Sequence, residues 1–295
     1  MKKTKLAFNL IAASAFLMLQ SCGGETSEDT SELNVVDTTD NTVDENFEDL
    51  FESPEIDYHL PSPLQVASIF KKSGLEYNSD ATNSTEGTEN YTEELNQMLN
   101  FGVYSADMAY CVLNDQSNEG RKYLEAITDL AEKIGMEAVF ENQDLMDRFD
   151  ENIGNKDSVE FLVIEIQERT ELYMNDNDMQ HQQAIHFAGA WTEGMYLGVY
   201  DFENNPEKSD VGAQITEQMS ILENIIKGLK DPKNDGMDIE WLITDMENIQ
   251  NTFNQFESVD NYFNDPEAEE LILEADEYDS LGELIKALRN KITNG

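Results

Sequence analysis

From Tyr91 onward the apolar residues recur every three or four positions instead of alternating, the spacing that gathers them on one face of a helix. Leu124, Ile127, Leu130, Ala131 and Ile134 form one such stripe, and Ile215, Met219, Leu222, Ile226 and Leu229 form a second. Met246, Ile249, Phe253 and Phe256 form a third. Turn-forming clusters punctuate the pattern at 114–120, Gly135, 152–157, 175–178, 204–209, 231–236 and Asp265-Pro266. Upstream, Ser62-Pro63 followed by Gln65 supplies a hydroxyl N-cap, a proline for the first helical position and a capping-box partner, while Lys71, Lys72 and Gly74 mark the other end. The spacing predicts a short helix over 63–73, then a polar loop over 78–89. Together these signals give an all-α fold of about nine helices with no strand series. The folded domain is expected over 58–295, long enough to bury a sizeable core as one compact body or two tightly packed halves.

Two segments hint at internal duplication. Residues 102–112 can be laid on 189–199, an offset of 87, so that glycine, methionine and valine coincide and Tyr104 meets Trp191. Two pseudo-repeats are too few for an open solenoid, so the expectation is a closed bundle or a short helical-hairpin array.

These segments are also the least amphipathic of the chain, which predicts central positions. Each carries an acid among apolar neighbours, Asp107 in the first and Glu193 in the second, and a buried carboxylate is costly unless paired. One reading is a ligand-binding acidic centre lined by Tyr104, Tyr110, Trp191 and Tyr196. The simpler reading, which the sequence favours, has each acid accept from a tyrosine hydroxyl or pair with Arg148 or Arg169. Ala184, Ala188, Gly189, Ala190, Gly194 and Gly198 cluster on the second segment; close helix approach accounts for them, and a pocket against bare backbone is the alternative.

The first fifty residues have a different character. Lys2, Lys3 and Lys5 precede an apolar run over 6–19, and Leu19-Gln20-Ser21-Cys22 follows. This is the layout of an export signal, too short to span a hydrocarbon core comfortably. Residues 1–21 are expected to be removed as a signal peptide. Residues 22–57, rich in Gly, Ser, Thr, Asn, Asp and Glu, are expected to form a flexible acidic tether. Within it Phe47, Leu50 and Phe51 would share one helical face.

Loss of residues 1–21 takes three of the 18 basic residues and none of the 62 acidic ones, so the formal charge moves from −44 to −47. Such a chain repels nucleic acid and anionic headgroups, and neither is expected as a partner. Cys111, left alone if Cys22 is lipidated, reads as a buried small hydrophobe. The stretch from Asp231 to Leu242 resembles a calcium loop in its glycine, but Lys233 and Leu242 stand where oxygen ligands are needed, so a helix-linking turn is expected. His181 and His186 are five apart without the intervening Glu of a zinc-protease motif, and His59 is remote. No catalytic residue, metal or cofactor is assigned.

Leu19, Ser21 and Cys22 resemble the lipobox of bacterial lipoproteins, which implies a diacylglyceryl group on the Cys22 thiol, cleavage before it and often acylation of the new amine. Tyr58-His59-Leu60-Pro61-Ser62-Pro63 through Gly74, and Asn100 through Tyr110, resemble an uncharacterised family of helical lipoproteins from Bacteroidetes-type bacteria. The resemblance implies a setting, the cell envelope and most often the outer membrane of a Gram-negative cell with the membrane face left open, and no catalytic residues. The expected function is a lipid-anchored protein that binds an envelope protein or a small ligand. The alternatives are an enzyme using Asp107 and Glu193, or a purely structural envelope component.

Overall fold

The computed structural model describes residues 60–140, 144–268 and 270–294, with Asp144 by its backbone alone. The export signal, Cys22, the tether with Phe47, and the opening Tyr58-His59 lie outside the described residues.

The described chain is all-helical, as the periodicity predicts. Its α-helices are α1 (Pro63–Lys72), α2 (Glu94–Leu113), α3 (Ser117–Lys133), α4 (Asp144–Asn152), α5 (Lys156–Asp176), α6 (Gln180–Asn204), α7 (Ser209–Gln218), α8 (Leu222–Leu229), α9 (Glu240–Phe253), α10 (Glu257–Asn264) and α11 (Ala275–Thr293). The count exceeds the expected nine because two apolar stripes are shared between helices. Met219–Ile221 forms a 3-10 turn between α7 and α8, yet Ile215, Met219, Leu222, Ile226 and Leu229 all stay buried. In the third stripe Phe256 is extended, at φ −64° and ψ 140°, and starts α10 instead of continuing α9. Spacing reports the buried face, and a tight turn preserves that face while ending the helix.

Local signals account for the helix ends. Ser62 Oγ accepts from the Gln65 amide at 3.1 Å, and Gln65 Oε1 accepts from the Ser62 amide at 2.7 Å, closing the capping box of α1. Gly135, at φ +74°, ends the α3 turn in the left-handed region that glycine tolerates. Residues 231–236 form a 3-10 turn in which Asp231 Oδ1 accepts from the Lys233 amide at 2.9 Å, the helix-linking role expected of it.

The long helices α2 and α6 form the centre and run side by side in the same direction. Gln182 Nε2 donates to Glu94 Oε1 at 3.1 Å near their starts, and the pairing advances through Gly102 and Gly189. Helix α1 lies on α6, with Val66 against Gly194 and Phe70 against Gly198. Leu64, Val66 and Phe70 are each 2% exposed, a burial worth about 1.5–3 kcal/mol per side chain. Helix α11 closes the centre from another side, and its last-turn carbonyls at Ile292 and Thr293 accept from Asn100 Nδ2 at 2.9 Å and Tyr91 Oη at 3.1 Å. No described helix is long and apolar enough to cross a membrane.

Candidate functional site

The central acids are brought together by two glycines. A Cβ on Gly102 would stand 1.9 Å from the His186 carbonyl oxygen, and one on Gly189 would stand 2.0 Å from the Leu99 carbonyl oxygen. Backbone therefore meets backbone at this point, and the next turn of each helix places Asp107 beside Glu193. Both acids are 0% exposed. Glu193 makes a bidentate ion pair with Arg289 of α11, Oε2 to Nε at 2.9 Å and Oε1 to Nη2 at 3.0 Å. The Arg289 guanidinium also lies 4.3 Å from the centre of the Tyr196 ring, a cation–π contact.

Asp107 is bound differently. Its Oδ2 accepts from the Asn83 amide at 3.0 Å, while Oδ1 receives no donor. Burial, and then the adjacent Glu193 charge, push the Asp107 carboxyl well above the usual carboxylate range, against the opposing pull of Arg289 and the Asn83 amide. Burial raises Glu193 as well, but there Arg289 counters it by charge and hydrogen bonds. Burial and the Glu193 charge thus disfavour a second charge on Asp107, whereas Arg289 supports the charge on Glu193. Burial alone would lower Arg289, yet the Glu193 charge and hydrogen bonds overcome it and hold the guanidinium firmly protonated.

The polar segment between α1 and α2 straps this centre. Tyr104 Oη donates to the Ser84 carbonyl at 2.9 Å and Tyr123 Oη to the Asn83 carbonyl at 2.7 Å. Tyr110 Oη donates to the Glu76 carbonyl and accepts from the Asn78 amide, each at 2.7 Å.

Of the residues singled out by sequence, Asp107, Glu193, Tyr104 and Tyr196 therefore gather at one place. Tyr110 serves the start of the strap, and Trp191 turns toward α7, its Nε1 donating to the Gln218 carbonyl at 3.4 Å. The expected arginine partners are corrected: Arg148 and Arg169 both bind Glu165 on α5, away from the centre. Arg289 was missed, although it falls four residues after Ile285 on a helix whose buried face carries Leu281, Ile285, Leu288 and Ile292. Its position in line with that apolar stripe was the available signal. The small residues of α6 serve close approach, Gly189 to α2 and Gly194 and Gly198 to α1.

Two further reactive groups are a buried thiol and a partly buried imidazole. Cys111 is buried, and burial raises its thiol far above the ordinary range. Burial lowers His186 to about 4, leaving it neutral, 3.4 Å from Ser105 Oγ. Among the described residues no three His, Cys, Asp or Glu side chains are placed to hold a metal ion.

A different place is open. Between the end of α6, α7 and the start of α11 lies a cleft of about 620 Å³. Val199, Phe202, Ile215, Leu273 and Tyr278 give it apolar walls, with the Phe202 and Tyr278 rings 4.7 Å apart between centroids. Ile272, at its edge, is 66% exposed. Sequence reading passed over this region because Leu271-Ile272-Leu273 is too short to show a period. An apolar triplet inside the acidic stretch 265–277 was the available signal.

Compared with known protein families, with curated proteins and with solved structures, the chain finds no match.

Proposed function

We propose that this chain is a lipid-anchored binding protein of the cell envelope, tethered through Cys22 and taking up a small ligand with an apolar portion in the α6–α7–α11 cleft. The observation that carries binding is the cleft itself. Its volume, about 620 Å³, falls in the range of small-molecule sites, roughly 300–1,000 Å³, and its walls are aromatic and aliphatic with polar groups at the edge. The central acids support this choice of site by contrast. With no exposed surface, Asp107 and Glu193 meet no ligand unless the strap over them is displaced. Anchoring rests on the lipobox-like Leu19-Gln20-Ser21-Cys22 and on the polar composition of the tether.

The test uses the mature chain with Cys22→Ala, so that no detergent is needed. Titration with the neutral dye Nile red is expected to give saturable binding at one site, and Ala213→Trp, which places an indole in the cleft, is expected to remove it without lowering the melting temperature. Absence of saturable binding, or binding indifferent to Ala213→Trp, overturns the proposed site.

A further inference from the structure

We infer that the ligand of the cleft is a small organic cation, an ammonium group carrying an apolar chain or ring; this rests on the cleft being the binding site. The walls define the apolar part and the rim defines the charge. Glu203, Asp210 and Asp279, from α6, α7 and α11, and Glu270, from the segment before α11, line the same opening, and all four are exposed. Lys286 of α11 and Lys208, just before α7, are engaged. Lys286 Nζ bridges Glu203 at 2.6 Å and Glu283 at 3.1 Å, and Lys208 Nζ bridges Asp201 at 3.0 Å and Glu76 at 3.5 Å. Among the described residues, Asp210, Glu270 and Asp279 are left without an ion-paired lysine or arginine.

Three uncompensated carboxylates at the mouth of a low-dielectric recess focus a negative potential into it. An anion must enter against that field, and a neutral molecule gains only from apolar burial. A cation with an apolar portion gains from both. Phe202 and Tyr278 put two aromatic rings in the lining, the kind of side chain that attracts an ammonium group. The size of the cleft suits a small molecule better than a folded partner.

Three probes of equal length separate charge from shape: octylammonium, octanol and octanoate, measured by calorimetry and by displacement of Nile red from the Cys22→Ala chain at pH 7.5 and low salt. Octylammonium is expected to bind at least about tenfold more tightly than octanol, a difference of about 1.4 kcal/mol. Octanoate is expected to bind more weakly than both. Adding salt should shrink the preference. The triple variant Asp210→Asn, Glu270→Gln, Asp279→Asn changes only exposed side chains, and it should bring octylammonium to parity with octanol while leaving octanol unchanged. If octanol binds and the three probes are not distinguished, or if the triple variant keeps the preference, the cation assignment falls and the cleft reading stands. If Ala213→Trp leaves octylammonium binding intact, the cation sits elsewhere and the assignment also falls. If neither Nile red nor any probe binds, both fall together.

Discussion

Gly102 and Gly189 stand in reciprocal positions: each would drive an added Cβ onto the carbonyl oxygen three residues before the other, at His186 and Leu99. This reciprocity is what two parallel helices related by a local two-fold axis produce. It also gives the 87-residue offset between the two segments a physical content, since the coincident glycines are the contact point itself.

The crossing gives a first prediction. Alanine at Gly102 or Gly189 gains up to about 1 kcal/mol in helix propensity but must push two backbones apart. Overpacking of this kind costs about 3 kcal/mol. The melting temperature of Gly102→Ala is therefore expected to drop by roughly 4–8 °C, at about 2–4 °C per kcal/mol for a domain of this size. Gly236→Ala, where a Cβ meets nothing within 4 Å, should stay within about 1 °C. Thermal melts of the three proteins decide it, and equal melting temperatures would contradict the packing argument.

The acid pair predicts an asymmetry between two isosteric changes. Glu193→Gln leaves the largely enclosed Arg289 without its bidentate partner, at a cost of about 3 kcal/mol in urea unfolding. Asp107→Asn keeps an acceptor for the Asn83 amide and a donor for Glu193, so at pH 7 it should be neutral or stabilising.

The same pair sets a pH dependence. Asp107 binds its proton more tightly folded than unfolded, so its contribution is fully present below the unfolded carboxyl value of about 3.9. That contribution is lost as pH rises toward the raised folded value. Stability from urea melts should decline from about pH 4 upward more steeply in the wild type than in Asp107→Asn. Parallel profiles would show that Asp107 does not hold the proton.

Three tyrosine hydroxyls peg the strap, and each should be separable. Tyr104→Phe, Tyr110→Phe and Tyr123→Phe are each expected to lose about 1 kcal/mol and to speed amide hydrogen exchange in residues 76–84. Tyr196→Phe keeps its ring under Arg289 and should leave that exchange unchanged.

The anchor proposed on Cys22 is tested by Cys22→Ala, which would remove the thiol that takes the lipid. Fractionation of expressing cells should move the protein from the membrane to the soluble fraction, since stable anchoring needs two or more acyl chains. Retention of the variant on membranes would place the anchor elsewhere.

Much of this molecule was legible in its sequence where the signal was local. The Ser62–Gln65 capping box, the turn at 231–236 and the buried face running from Ile215 to Leu229 all follow from residues within a few positions of one another. Partner choice was not legible. Arg148 and Arg169 lay closer in sequence to the central acids than Arg289 does, yet both turn to Glu165. Spacing fixes which way a side chain points from its own helix and says nothing of which helix arrives opposite.

The sequence by itself determined the helical class, the central placement of 102–112 and 189–199, and the excess of acid over base, because these depend on periodicity and composition along one chain. Only the tertiary structure decided that Asp107 and Glu193 meet beside Arg289, and that the open recess lies instead between α6, α7 and α11. Both are properties of surfaces that meet only when distant segments pack. Glu193 and Arg289 are 96 residues apart, and the geometry of their pairing exists only once α11 has closed over α6.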